Sequence, residues 1–327
     1  MKRYILIANE AKDVNFLYAD FASKQEMSML LFKYTRQRIG LIRALDVLKI
    51  KNSKIIYKLI FQKIFQNTID NGLINSDDDE KVFIIMARAY EKYGINLVAH
   101  LREKYPSCKI VLYLTDLIRN MRFSINEAKG YFDVVCSFDK GEAEANNLGY
   151  VMEPFSSILL SKIPNREEPQ FDVTFVGAAK GRYEKIMSLY NTLSDKGLTC
   201  EFYIVGVEKE KQIKAKGIHY DEYLDFEKVL MEVANSRCVV EIMQEGGYSA
   251  TTRYAEAMLF KKNLITDCPA LKNSEEKGIF YFDNETAFNP NEIRMKNERD
   301  TIGFTNYFSI DSFINSMETH LVNRECV

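Results

Sequence analysis

Residues 239–266 read VVEIMQEGGYSATTRYAEAMLFKKNLIT, and the order of residue types in them decides the fold. Val239, Val240 and Ile242 form a short apolar run of strand type. Gly246 and Gly247 interrupt it, helix formers fill 249–260, and 263–266 is apolar again. Strand, loop, helix and strand in that order make a right-handed βαβ unit and hence a parallel sheet. The loop is suited to an anion. Two glycines let the backbone approach a ligand, Ser249, Thr251 and Thr252 offer hydroxyls and a helix N-cap, and the helix start presents unpaired N–H groups at its positive dipole end. Phosphate is the natural occupant. Arg253 and Glu256, three residues apart, share one helix face. An arginine there clamps a diphosphate, and a glutamate accepts hydroxyls of a ribose or sugar. The plainer reading of the same two residues is a surface ion pair.

The rhythm extends upstream. An apolar strand at 172–176 runs into Gly177, Ala178, Ala179, Lys180, Gly181 and Arg182, and then a helix. Small residues again admit a phosphate, and Lys180 and Arg182 bring charge to it. The spacing matches neither GxxxxGK[ST] nor GxGxxG. Further strands are expected at 200–205 and 278–283, a helix at 227–236, and a last helix at 309–322. Tyr223 is placed either to stack on a base or to fill a core. Pro164, Pro169 and a charged cluster mark 160–170 as a linker, which divides the 327 residues into domains 1–165 and 166–327.

In the first half, strands are expected at 4–8, 82–86, 109–114 and 133–137, with a helix at 94–104. Glu10 and Asp116 follow strand ends, where open α/β sheets place chemistry, and Asp116 is equally placed to cap a helix. Residues 27–65 read as helical. Lys33, Arg36, Arg38, Arg43, Lys49, Lys51, Lys54, Lys58 and Lys63 stand there against one acid, Asp46, with leucines and isoleucines between them. Such a stretch suits the anionic inner face of a membrane, or else packs on the sheet with its lysines solvated.

A net charge of −2 argues against general nucleic-acid binding, and 46% hydrophobic with 28% charged residues indicates a folded chain. The six cysteines are scattered with no CxxC pair, as expected of reduced core residues in a cytoplasmic protein. Three histidines argue against a histidine metal cluster. The opening MKRYILIANE is too short in apolar residues for a signal peptide, and no run of ~18 apolar residues is present.

Residues 239–266 resemble the donor-binding signature of GT-B type glycosyltransferases. They are most similar to bacterial polysaccharide and spore-coat (CgeB-like, group 1) transferases, whose pattern is met here by Gln244, Gly247, Thr251, Arg253, Glu256, Ala257, Lys262, Ile265 and Thr266. One position departs. Retaining members carry two glutamates eight positions apart, and Tyr248 stands eight before Glu256, with Glu245 displaced by three. The resemblance implies an α/β GT-B fold, with two Rossmann-like domains whose parallel sheets face a central cleft. The first would bind acceptor, the second the donor, and the final helix would cross back to the first.

The implied activity is metal-independent transfer of a hexosyl group from a UDP- or GDP-sugar, without a cofactor. The acceptor would be a glycan or lipid-linked glycan of bacterial surface polysaccharide, such as lipopolysaccharide or capsule. Donor contacts would come from Gly177, Lys180, Arg182, Tyr223, Gln244, Gly246, Gly247, Tyr248, Ser249, Thr251, Thr252, Arg253 and Glu256. Arg253 would carry leaving-group charge, with Asp116 and then Glu10 as base if the reaction inverts. A sugar-nucleotide epimerase of the same fold, or a catalytically silent subunit binding glycan or membrane, are the alternatives.

Overall fold

A computed structural model describes residues 2–33, 36–73, 80–163, 168–283, 288–297 and 307–325. The aspartates at 77–79, Pro164 of the expected linker, and Cys326 lie outside the described residues. The chain forms two compact units, Met1–Pro154 with Ile310–Val327, and Phe155–Ser309. The boundary between the units lies at Pro154, and the last helix groups with the first unit.

The first unit is built on β1 (Lys2–Asn9), β2 (Met27–Phe32), β3 (Glu80–Met86), β4 (Lys109–Leu114), β5 (Val134–Ser137) and β6 (Gly149–Tyr150). They form one parallel sheet in the order β2-β1-β3-β4-β5-β6. Ile5, Leu6, Ile7 and Ala8 are all buried, as continuous apolar strands covered on both faces must be. One face packs Ile5, Ile7, Phe83 and Ile85 against Phe61, Phe65, Tyr93 and Leu97. The other receives the last helix, Ile310–Glu325, whose Phe313 ring lies 5.8 Å from Tyr18 and 5.0 Å from Tyr113.

One expectation fails here. Met27–Phe32 is a strand, not helix, pairing Tyr4 with Met27 through Asn9 with Phe32. MSMLLF shows no polar alternation because it lies within a covered parallel sheet, where alternation is not required. Helix begins only beyond it, at Arg36–Val47, followed by a helical run over 54–70 that mixes α and π turns. The helix expected at 94–104 is present as Ile95–Lys104, and a separate short helix, Ala87–Tyr93, precedes it across left-handed Gly94 (φ 61°).

The second unit contains β7 (Phe171–Ala178), β8 (Cys200–Val205), β9 (Ile218–Tyr220), β10 (Ser236–Glu241), β11 (Asn263–Thr266) and β12 (Ile279–Tyr281). They too are parallel, in the order β12-β11-β10-β7-β8-β9. Counted from β7 this is the doubly wound order 3-2-1-4-5-6, in which the winding reverses between β7 and β10. Helices Tyr183–Asp195, Phe226–Asn235 and Thr252–Leu259 connect these strands. No helix among the described residues is long and apolar enough to cross a membrane.

Candidate functional site

Open doubly wound sheets bind ligands beyond the carboxyl ends of their strands, at the point where the winding reverses. In the second unit that point is flanked by the loops after β7 and β10. These are the two stretches singled out from the sequence.

The β7 loop turns through left-handed Lys180 (φ 41°) and Gly181 (φ 79°), both exposed. Arg182 then ties the two loops together. Its guanidinium donates to the Ala178 carbonyl at 3.2 and 3.3 Å and to the Ile242 carbonyl beyond β10. Three of its donors are thereby spent on backbone. Gly177 allows this approach, since a Cβ there would lie 3.0 Å from the Phe175 ring and 3.5 Å from Arg182 Nη2.

The β10 loop is organised by a residue not singled out from the sequence. Glu241, at the end of β10 and 2% exposed, accepts from Thr251 N at 2.7 Å, Thr251 Oγ1 at 2.6 Å and Thr266 Oγ1 at 2.6 Å. Burial pushes its carboxyl upward, while those three donors pull it down. One carboxylate thus fixes the N-cap of helix Thr252–Leu259 to β11. Asp267 does similar work beside it, accepting from Met243 N at 2.6 Å and pairing with Lys185 at 2.6 Å. The loop tip is a turn closed by Gly247 N donating to Gln244 O at 3.0 Å, with Gly246 in the left-handed region (φ 77°). Tyr248 exposes its side chain while its carbonyl accepts from Ala270 N and Cys268 Sγ, each at 3.2 Å. Ser249 is buried.

Thr251 caps the helix by accepting from Arg253 N at 3.2 Å, and Thr252 begins it. Arg253 and Glu256 do form an ion pair, but not on the surface. Glu256 is wholly buried. Its Oε2 pairs with Arg253 Nη1, while Oε1 has no hydrogen-bond partner among the described residues. Arg253 Nη2 also donates to the Val176 carbonyl of β7 at 3.1 Å. Burial pushes the Glu256 carboxyl up, and the adjacent Arg253 charge holds it down. The fold thus gathers Gly177, Lys180, Arg182, Gln244, Gly246, Gly247, Tyr248, Ser249 and Thr251 on two neighbouring loops, and Thr252, Arg253 and Glu256 at the start of the helix that follows the second. Tyr223 stands apart. It is 84% exposed and follows β9, the edge strand two places from β7.

In the first unit, Asp116 is engaged by its own loop and a neighbouring helix: Oδ1 accepts from Leu117 N at 2.9 Å and Asn120 Nδ2 at 2.8 Å, and Oδ2 from Arg88 at 3.1 Å. Glu10 is exposed after β1, where its N–H donates to Phe32 O at 2.9 Å. A third acid has the more perturbed environment. Glu153 accepts from Tyr18 OH at 3.4 Å, and burial, then the charge of Asp13, push its carboxyl up to about 8. Nothing in its sequence context marks it. Glu241 and Asp267 did carry a signal, as acids directly ending the apolar runs VVE and LITD.

No protein-family model matches the chain, and no curated protein matches it. Solved structures do. Anabaena HepE, determined in complex with UDP and glucose, matches at a TM-score of 0.51 and 12% identity, over 98% of this chain and 97% of that one. A glycosyltransferase from Rickettsia africae matches at 0.50 and 11% identity, over 99% of both chains. The fold is GT-B. An alpha-glucosyltransferase bound to UDP and a 13-mer DNA also aligns, at a TM-score of 0.48 and 14% identity, over 99% of this chain and 95% of that one.

Proposed function

We propose that the protein is a glycosyltransferase whose second unit binds a nucleotide-sugar diphosphate at the β7 and β10 loops and whose first unit binds the acceptor. The carrying observation is the convergence of both loops at the winding reversal, where a helix opens with Arg253 in its first turn. Breaking the bond from sugar to phosphate develops negative charge on the diphosphate, which a helix N-terminus and a guanidinium stabilise. Arg253, with its side chain 21% exposed, supplies that guanidinium, together with Lys180 and the amides at Gly246–Ser249. Glu256 orients Arg253 from behind, and takes ribose or sugar hydroxyls when the guanidinium turns to the diphosphate. Arg182 acts by holding the two loops in register, and Tyr223 stacks on the base if its loop folds inward.

For an inverting reaction the base is Asp116, with Glu10 behind it. The chemistry needs no metal. A UDP- or GDP-hexose is the donor, and a glycan or lipid-linked glycan of a bacterial surface polysaccharide, in the manner of CgeB-like transferases, is the acceptor, which places the protein on the cytoplasmic side. HepE, with UDP and glucose bound, makes UDP-glucose the first donor to try.

The test is a thermal-shift panel of nucleoside diphosphates and nucleotide sugars. A ligand at ~100 times its Kd stabilises by ~2.7 kcal/mol. Arg253→Ala strands a buried carboxylate, so Arg253→Ala/Glu256→Gln is run beside it. One nucleotide family stabilising the parent, and neither variant, supports the donor site. Stabilisation by none overturns it. Tyr248 in place of an acid sustains one other reading, a silent binding subunit. Donor binding without turnover on any acceptor would favour that.

A further inference from the structure

The basic stretch of the first unit is packed on one side only. Ile42, Leu45, Phe61, Phe65 and Ile69 are buried in the core, which satisfies the packing reading for that face. The opposite face is apolar as well. Val47, Leu48, Ile50, Ile55 and Leu59 are between 40% and 80% exposed, an unusual concentration within thirteen residues. They fall on one structural feature. Val47–Ile50 is the turn closing the helix Arg36–Val47, and Ile55 and Leu59 are one helical turn apart on the run that follows.

Cations border this apolar surface. Lys54 and Lys58 form the row beside Ile55 and Leu59, Lys49 sits at the turn, and Arg43 and Lys63 lie at its two ends. All are exposed, and none has an acidic partner among the described residues. Lys49 occupies a left-handed conformation (φ 57°), where glycine or asparagine would sit with less strain. The turn is tied to the body by polar contacts. Lys51 Nζ reaches Asp46 at 2.6 Å and the Glu91 carbonyl at 2.9 Å, while Asn96 Nδ2 donates to Lys51 O at 2.8 Å.

We propose that this face docks on an anionic lipid bilayer, with Val47, Leu48, Ile55 and Leu59 inserted at the headgroup boundary and Lys49, Lys54 and Lys58 at the phosphates. Apolar tips ringed by unpaired lysines fit a surface that is apolar below and anionic above. A protein partner would supply acids to the lysines and rings or aliphatics to the tips. That occupant is the competing outcome. The inference stands independently of the donor site.

The chain has no tryptophan, so Leu48→Trp provides a single fluorescent reporter at the tip. Vesicles of phosphatidylcholine with 30% phosphatidylglycerol should blue-shift its emission, pure phosphatidylcholine should not, and 0.5 M salt should reverse the shift. Lys49→Glu/Lys54→Glu/Lys58→Glu should lower co-sedimentation with anionic vesicles at least ~tenfold, while Lys196→Glu/Lys228→Glu in the second unit should not. Nucleotide-induced thermal shifts should be the same in all variants. Absence of binding to anionic vesicles at low salt overturns the proposal. So does a concentration-dependent dimer, seen by light scattering, that Val47→Asp/Leu48→Asp abolishes.

Discussion

Glu241 shows how one side chain sets a loop. Its two oxygens hold the N–H and hydroxyl of Thr251 and the hydroxyl of Thr266, so its removal strands three donors, that of Thr266 fully buried. Glu241→Ala should cost ~2–4 kcal/mol in urea unfolding, and Glu241→Gln distinctly less, because an amide oxygen still accepts from Thr251. Glu153 gives a pH test. Its carboxyl titrates at about 8 when folded, against 4.5 as the ordinary value. Between those values the folded chain holds a proton that the unfolded chain has lost, so stability falls as pH rises from about 4.5 to about 8. It is fully present below the lower value. Glu153→Gln should flatten that fall, and a variant whose melting temperature tracks the parent across pH 5–8 would contradict the assignment. Asp116 illustrates an ambiguity that sequence could not break. Chemistry and helix capping call for the same carboxylate at the same place, and only the donors from Leu117, Asn120 and Arg88 show it engaged locally.

At the scale of elements, the β strands that end in loops were legible where their apolar runs were bounded by glycine or charge. β4, β8 and β11 occupy the expected residues. β2 was hidden because a doubly covered strand and a helix segment look alike over six apolar residues. Lys262 marks a second limit. In sequence it belongs to the basic turn of the donor signature. In the fold it is 4% exposed and donates to the Ala234 carbonyl at the end of helix Phe226–Asn235 at 2.8 Å. Burial, with Arg237 adding to it, pushes its amine down to about 8. From about pH 8 to 10.5 the unfolded lysine keeps a proton that the folded one has released, so stability rises with pH across that window. Lys262→Met should remove the rise, as followed by chemical denaturation at pH 7.5, 9 and 10.

For the whole molecule, the last helix joins the far end of the chain to its beginning. Phe313, Ile314, Met317 and Leu321 are buried, Phe313 against Tyr18 and Tyr113, and Lys2 Nζ donates to Glu318 at 2.6 Å. Phe313→Ala should therefore cost ~3–5 kcal/mol, with hydrogen exchange accelerating in β1 and β4 and not in β7 or β10. Uniform acceleration in both units would contradict that division. By itself, the sequence determined the parallel α/β class, the glycine loops and the presence of a helix within 249–260, because strand periodicity, left-handed turns and N-caps are local requirements written in neighbouring residues. Only tertiary structure decided that β7 and β10 adjoin, that Arg182 is spent on carbonyls, that Glu241 is buried and Glu153 half-buried, and which apolar residues of 41–59 face outward. Those outcomes depend on which distant segments supply or withhold a partner, and solvent exposure is a property of the assembled packing rather than of any one stretch of chain.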